Sequence, residues 1–464
     1  MNTNKLKKFA SKSRELLINE VAKNISYLEV RDLNKLPSYY QNWVQIDDVS
    51  FKEWKKLEQR KNLIARVADI WEEQVIEEIA YLWFNRFIAL RYMEVNNYLS
   101  YWSRVVSSDD KNKLEPDLIK NATHLIDLDL DNEIIYKHLD DSDNDKLYKY
   151  LILNICNSLH SELPFMFEKI SDYSELLFPE SLLERWSFLD LLINEVDETD
   201  FKEVEILGWL YQYYISDKKD ILINAKKKYK TEDIPAVTQL FTSKWIVQYM
   251  VENTIWKTWL ESHPNKELQA KWEYYIESED TNEVNPNLKP EDITVLDPAM
   301  WSWHILVYAF EVLFDIYKSA WYTNDEIPKL LIENNLFWLE IDNRAYQIAC
   351  FAIIMKARKY DKKILKEIKN NNLKINAFSI SETQNCDVID ELLYPNLAQL
   401  CTKFKQASLI WSLITIKNFD EEKINEEFEA FQKEWTIFNS KLIQLLPKII
   451  NQARLLHSKY SCVV

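Results

Sequence analysis

The reading of this chain turns on Val295-Leu296-Asp297-Pro298-Ala299-Met300-Trp301-Ser302-Trp303-His304. A short β-branched run, Ile293–Leu296, leads into it, and apolar residues at helical spacing from Ser302 to Tyr317 lead out of it. The segment is therefore a turn between a strand and a helix.

The alternation continues downstream. Leu336–Ile341 is expected to be a second strand, Arg344–Lys359 a second helix and Leu373–Ile380 a third strand, the order of a parallel, doubly wound α/β sheet. Glu382 to Leu456 is helical and polar and too long for one crossover, so an inserted helical segment is expected at about 382–456. Tyr460–Val464 has the composition of a fourth strand. Upstream, Val75, Ile76, Ile79, Leu82, Trp83 and Phe87, and later Leu207, Leu210, Tyr211 and Tyr214, recur at three and four. The expected organisation is a helical domain over 1–230 followed by an α/β domain over 231–464. Two acidic stretches, Ser107 to Asp117 and Asp127 to Asp145, are expected to form loops or a break between helical subdomains. The basic run Lys226 to Lys230 is either a solvated helix end or a phosphate contact.

The composition narrows the function. Of 464 residues 47% are hydrophobic, enough for a core in each of two or three domains. A net charge of −17 argues against general adhesion to polyanions and confines any nucleic-acid surface to a local basic patch. The five cysteines show neither zinc-site nor disulfide-framework spacing, which points to a reducing cytoplasm. The six histidines are isolated from one another, so no metal site is expected, and His304 reads as a packing residue. Neither a signal peptide nor an apolar run of about 18 residues is present, so no membrane role is expected. One count is abnormal: Gly208 is the single glycine where average usage would give roughly 30, and there are 17 tryptophans.

The turn after the first strand resembles the cofactor loop of amino-methyltransferases, Asp-Pro-Ala-x-Gly-Ser-Gly, with Trp301 and Trp303 at the glycines. On this segment alone an ordinary turn, with Asp297 starting it and Ser302 capping the helix, stands equally open. Asn335-Leu336-Phe337-Trp338-Leu339-Glu340-Ile341-Asp342 resembles the second-strand pattern Gly-x-Glu-Ile-Asp, where an acidic side chain accepts hydrogen bonds from ribose hydroxyls. The distance from Asp297 to Glu340 exceeds the roughly 20 residues of dinucleotide folds. An extended loop over Ala320 to Asn334 is expected to account for it. Upstream, Phe241-Thr242-Ser243 resembles a Phe-Thr-Pro turn that touches the methionine part of the cofactor, with Thr242 as helix cap.

Together with Trp83 to Glu94 and Leu151 to Pro179, these segments resemble the PglX methyltransferases of bacteriophage-exclusion systems over nearly the whole chain. The resemblance implies a Rossmann-like domain binding S-adenosylmethionine near Thr242, Asp297, Ala299, Ser302, Glu340 and Asp342. It also implies methylation of the adenine amino group in double-stranded DNA, alongside other proteins of such a defence complex. The family's catalytic Asn-Pro-Pro-Tyr loop would follow the fourth strand and is absent from these residues, so a domain truncated after that strand is expected. A nicotinamide enzyme would need Gly-x-Gly-x-x-Gly after the first strand. The alternative is a catalytically inactive helical scaffold or DNA-specificity protein of the same kind of complex.

Glycine positions of the resemblance carry Trp301, Trp303, Trp321, Trp338, Trp71 and Trp256, whereas Trp83 and Trp245 match tryptophans. This selectivity is expected if the source reads the UGA codon as glycine and the sequence was translated with UGA as tryptophan.

Overall fold

The computed structural model describes residues 2–464 except 29–37, 40–43, 47–48, 52–53, 102, 111, 126–127, 171, 226–227, 230–232, 239–241, 278–284, 302, 384–387, 435 and 437–438. The chain divides into two compact units, Met1–Asp217 and Lys218–Val464.

The first unit is organised by the helix Glu72–Val95, in which every residue from Trp83 to Val95 is buried. A helix that is buried all round is a core helix. The helices Thr3–Tyr27 and Trp54–Ile70 pack on it, and Phe84 lies among Phe9, Phe188 and Tyr214. Burying Arg91 and Glu94 on such a helix requires partners. Glu94 accepts the Val106 N–H at 2.7 Å and the Ser107 hydroxyl at 2.7 Å, and Arg91 donates to Glu94, to Ser107 Oγ at 2.8 Å and to Glu198 at 3.3 Å. Arg104 reaches the same Glu198 at 3.3 Å, which closes the network around the segment 104–107.

Two expectations for this half are corrected. It is not wholly helical: β1 (Ser38–Tyr39), β2 (Val44–Ile46) and β3 (Val49–Phe51) form a small antiparallel sheet. Nor is the second acidic stretch all loop, since Asn132–Asp140 is a helix. Asp131 caps it by accepting the Glu133 N–H at 2.9 Å, and Ile135 anchors it in the core.

In the second unit β4 (Val295–Asp297), β5 (Leu336–Glu340), β6 (Ala377–Ser379) and β7 (Cys462–Val463) form one parallel sheet in the order β6-β5-β4-β7. Numbered within the sheet this is 3-2-1-4, so the order reverses between β4 and β7, the place where open α/β sheets leave a crevice at their carboxyl ends. Each strand begins within four residues of its expected start: β4 pairs Leu296 with Phe337, and β5 pairs Leu339 with Phe378. The helices His304–Ser319 and Asn343–Arg358 follow β4 and β5. The expected loop between them contains a helix, Ile327–Asn334, led by Pro328 and held by buried Leu331 and Ile332.

The segment between β6 and β7 holds the helices Pro395–Lys403, Glu421–Lys433 and Ser440–His457. They share a core of their own, with Leu397, Phe404, Phe431, Leu446 and Ile449 buried together. Gln452, itself buried, ties this core to the end of β6 by donating to Ser379 O at 3.0 Å and accepting the Ser381 N–H at 3.2 Å.

Replacing Glu94 with alanine leaves Arg91 buried without its nearest anion. A loss of about 3–5 kcal/mol in the stability of the first unit is expected in urea unfolding. A loss below about 1 kcal/mol would show that the network is not what holds the segment 104–107 in place.

Candidate functional site

The site is built where β4 and β5 end. Asp297 is the last residue of β4, and its Oδ1 accepts the Ala299 N–H at 3.1 Å, which starts the turn. The carboxyl is fully buried and its Oδ2 has no hydrogen-bond partner. Burial pushes its pKa up to about 7, against the lowering effect of the Ala299 N–H.

On β5 the register places Trp338 beside Asp297 and leaves Glu340 at the strand end. Glu340 Oε2 accepts the Trp301 N–H at 2.9 Å and Oε1 accepts the Asp342 N–H at 2.8 Å, so the loop after β4 is fastened to the end of β5. Burial is the main cause that raises Glu340 to about 8. The Asp342 and Trp301 amides oppose it, and the charges of Asp342 and Asp297 add to it. The sequence-derived acids Asp297 and Glu340 are thus brought together, with Ala299 in the same turn.

Asp342 lies one turn further on and caps the helix Asn343–Arg358. It accepts the Arg344 N–H at 2.9 Å and binds the Arg344 guanidinium through Nε and Nη2, both at 2.8 Å. Sequence reasoning missed Arg344; the signal was an Asp-x-Arg spacing at a helix start, which lets one carboxylate cap and pair at once. It also missed Glu252, fully buried in the π-helical turn Glu252–Trp256, which accepts the Tyr308 hydroxyl at 2.6 Å and the Tyr274 N–H at 2.7 Å. Tyr308 belongs to the helix that leaves the loop after β4, so Glu252 fixes that helix through the Tyr308 hydroxyl.

Two capping expectations are corrected. The helix after the loop begins at His304 with Trp303 at its cap, not Ser302, which lies outside the described residues. Trp303 sits at φ 47° and ψ 6°, makes no side-chain capping bond, and follows Trp301 at φ 38°. Upstream, the helix Lys244–Val251 is capped by Ser243 rather than Thr242, because it starts one residue later than expected. The Ser243 carbonyl closes its first turn, accepting from Ile246 at 2.9 Å and Val247 at 3.1 Å, and half-buried Thr242 stands just before it. Phe241 lies outside the described residues, as do Lys226, Lys227 and Lys230 of the basic run, of which Lys228 is exposed.

Buried acceptors at adjacent strand ends suit a ligand rich in hydroxyl or amine donors, and the orphaned Oδ2 of Asp297 is an acceptor of that kind. The loop backbone also suits a close ligand, since left-handed residues before a helix start turn its amides outward. The side chains do not: Trp301 and Trp303 put two bulky indoles on the turn that would have to admit the ligand, and Trp303 is buried. Among the described residues no group of His, Cys, Asp or Glu is placed to hold a metal, and no helix is long and apolar enough to cross a membrane.

A four-stranded parallel sheet with helices between its strands places this unit among the α/β folds. No family model matches the chain. It is 37% identical over 404 residues to the adenine-specific methyltransferase BrxX of Escherichia coli O9:H4 (strain HS), covering 83% of this chain and 33% of that protein. It is 33% identical to the adenine-specific methyltransferase PglX of Lacticaseibacillus casei (strain Zhang), covering 100% of this chain and 42% of that protein. The chain therefore spans between about a third and two-fifths of the length of these curated relatives, and it belongs to the PglX-type family of adenine-specific methyltransferases.

The two raised acids carry a pH signature. Their ordinary values are 3.8 and 4.5, so between about pH 4 and pH 8 the folded unit keeps protons that the unfolded chain has released. Stability of the second unit therefore falls as pH rises through that window and levels off above it. Asp297→Asn keeps the acceptor for Ala299. It is expected to flatten the slope and to stabilise the unit at pH 8 by on the order of a few kcal/mol. Urea unfolding at pH 5, 6, 7 and 8 measures this; an unchanged slope would mean that Asp297 is not held protonated by burial.

Proposed function

We propose that the second unit is the S-adenosylmethionine-binding part of a Rossmann-like adenine-specific DNA methyltransferase, with double-stranded DNA as substrate, acting within a phage-defence complex. The observation that carries this reading is the convergence of Asp297 and Glu340 at the ends of β4 and β5, with the Trp301 amide of the intervening loop on Glu340. Glu340 would take the ribose hydroxyls. Asp297, Ala299, Ser302 and Thr242 would face the amino-acid part of the cofactor. Asp342, occupied by Arg344, acts as a positioning residue that holds the strand end and adds negative charge beside Glu340.

When bound, the cofactor supplies an electrophilic methyl group. The chain's own contribution would be to orient it against the acidic strand ends formed by Asp297 and Glu340. The family resemblance assigns the adenine amino group to an Asn-Pro-Pro-Tyr loop after a strand like β7. These 464 residues contain no such tetrapeptide, so the role assigned to them is cofactor binding rather than methyl transfer. The buried indole at 303 favours a second reading for the sequence as written, a cofactor-free scaffold or DNA-specificity protein of the same complex.

Calorimetric titration with S-adenosylmethionine separates the two. A chain carrying Trp301→Gly and Trp303→Gly is expected to bind, and adding Glu340→Ala is expected to weaken binding about 10- to 100-fold through lost charge-assisted hydrogen bonds. Hydroxyl donors favour the ionised form of Glu340. Affinity should therefore rise from pH 6 to pH 8, with proton release on binding. Absence of binding by the glycine-bearing chain, or affinity indifferent to residue 340, would sink the cofactor reading.

A further inference from the structure

The described chain has eight non-glycine residues at positive φ: Trp71, Asn97, Ser142, Trp186, Trp301, Trp303, Trp321 and Asn371. Five are tryptophan, a residue whose bulk makes this region a genuine outlier. The other three are Asn and Ser, short side chains of the kind that tolerate it.

The helix ends offer an internal comparison. After the helix Glu72–Val95, Asn97 donates to Glu94 O and Tyr98 to Met93 O; after Asn132–Asp140, Ser142 donates to Leu139 O and Asp143 to His138 O. After Ile364–Lys369, Asn371 donates to Ile368 O and Asn372 to Glu367 O. This paired pattern is the Schellman cap, whose left-handed residue is most often glycine. The helix His304–Ser319 ends the same way, with Trp321 donating to Lys318 O and Tyr322 to Tyr317 O, and here the left-handed residue is tryptophan at φ 70°. Its indole is 94% exposed, so no buried surface offsets the conformation. Trp71 and Trp186 are also exposed, at 77% and 71%, with the Lys12 ammonium 5.4 Å from the Trp186 ring. Trp71, between two helices, combines φ 70° with ψ 149°, close to a region populated essentially by glycine alone. The chain's one written glycine, Gly208, lies inside the helix Glu205–Ala225, and no glycine has positive φ.

We infer that positions 71, 186, 301, 303 and 321 carry glycine in the protein as the cell makes it, the tryptophans being UGA codons read as glycine by the source and as tryptophan in the written sequence. Three of the five lie away from the strand ends, so the inference stands or falls apart from the cofactor reading. At 301 and 303 it has a functional consequence. With no side chain on either residue, the turn before His304 loses the indole that fills it, and the amides at the start of that helix become approachable.

The test is peptide mass spectrometry on the full chain isolated from its source cells. Glycine masses are expected for the peptides covering 71, 186 and 321, as well as 301 and 303. Tryptophan at any of the three surface positions would overturn the inference, whatever is found in the loop. A second measurement compares thermal unfolding of the chain as written with one carrying Trp71→Gly, Trp186→Gly and Trp321→Gly. A midpoint several degrees higher is expected for the glycine-bearing chain, and an equal or lower midpoint contradicts a fold built for glycine.

Discussion

The geometry of the site depends on one hydrogen bond, from the Trp301 amide in the turn after β4 to the buried carboxyl of Glu340 at the end of β5. To make it, the chain must leave β4 at Asp297, lay its turn over the end of β5, and enter a helix at His304. That path fits only if the backbone passes through left-handed conformations at 301 and 303. The hydrogen bond therefore sets both the geometry of the site and the residue type that its turn can hold without strain, which costs on the order of 1–3 kcal/mol per misplaced bulky residue.

The same turn concentrates acid. Asp297 and Glu340 are buried within the reach of each other's charge, and Asp342 stands beside them. Three carboxyls so placed would repel if all were ionised, and the structure manages them differently. Asp342 is paired with Arg344 and caps a helix, Glu340 is satisfied by two amides, and Asp297 keeps one oxygen without a donor. The last two are raised toward neutral pH, the range in which a small change of ligation alters charge. The division of roles follows from partners rather than residue type, since all three are carboxylic acids.

How much of this was legible follows from the range of each interaction. The sheet was legible because Ile293–Leu296 and Leu336–Ile341 are mainly apolar, largely buried runs and the helices between the strands keep their 3.6-residue period; Leu373–Ile380 is more mixed, with Lys374 exposed and only Asn376 and Ala377 buried. Boundaries moved by a few residues because the ends are set by caps, as at Thr242 and Ser302, where the cap proved to be the following residue. The helix Asn132–Asp140 was hidden because its apolar face is small and because Asp131 and Glu133, which read as loop acids, serve as its N-cap and first turn. The strands over 38–51 are two or three residues each, too short to show a period. Pairings such as Arg91 with Glu198, or Glu252 with Tyr308, join residues far apart in the chain, and no local pattern announces them.

The tryptophans were legible in a different way. Composition alone showed a chain almost without glycine, and the family pattern showed where glycine belonged; neither is a physical reason for a particular position. Backbone conformation supplies that reason independently at Trp71, Trp301, Trp303 and Trp321, and it reaches Trp186, which no motif had singled out; it gives no such reason at Trp256, which is helical, or at Trp338, which lies buried in β5. It also separates the tryptophans from one another. Trp83 is a fully buried core residue edge-on to Phe178 at 4.7 Å, whereas Trp321 hangs in solvent from a helix cap that three other helices fill with Asn or Ser. One letter in the sequence thus covers two physical roles, a large apolar body in the core and a backbone that needs no side chain at all, and a single residue type cannot serve both without strain.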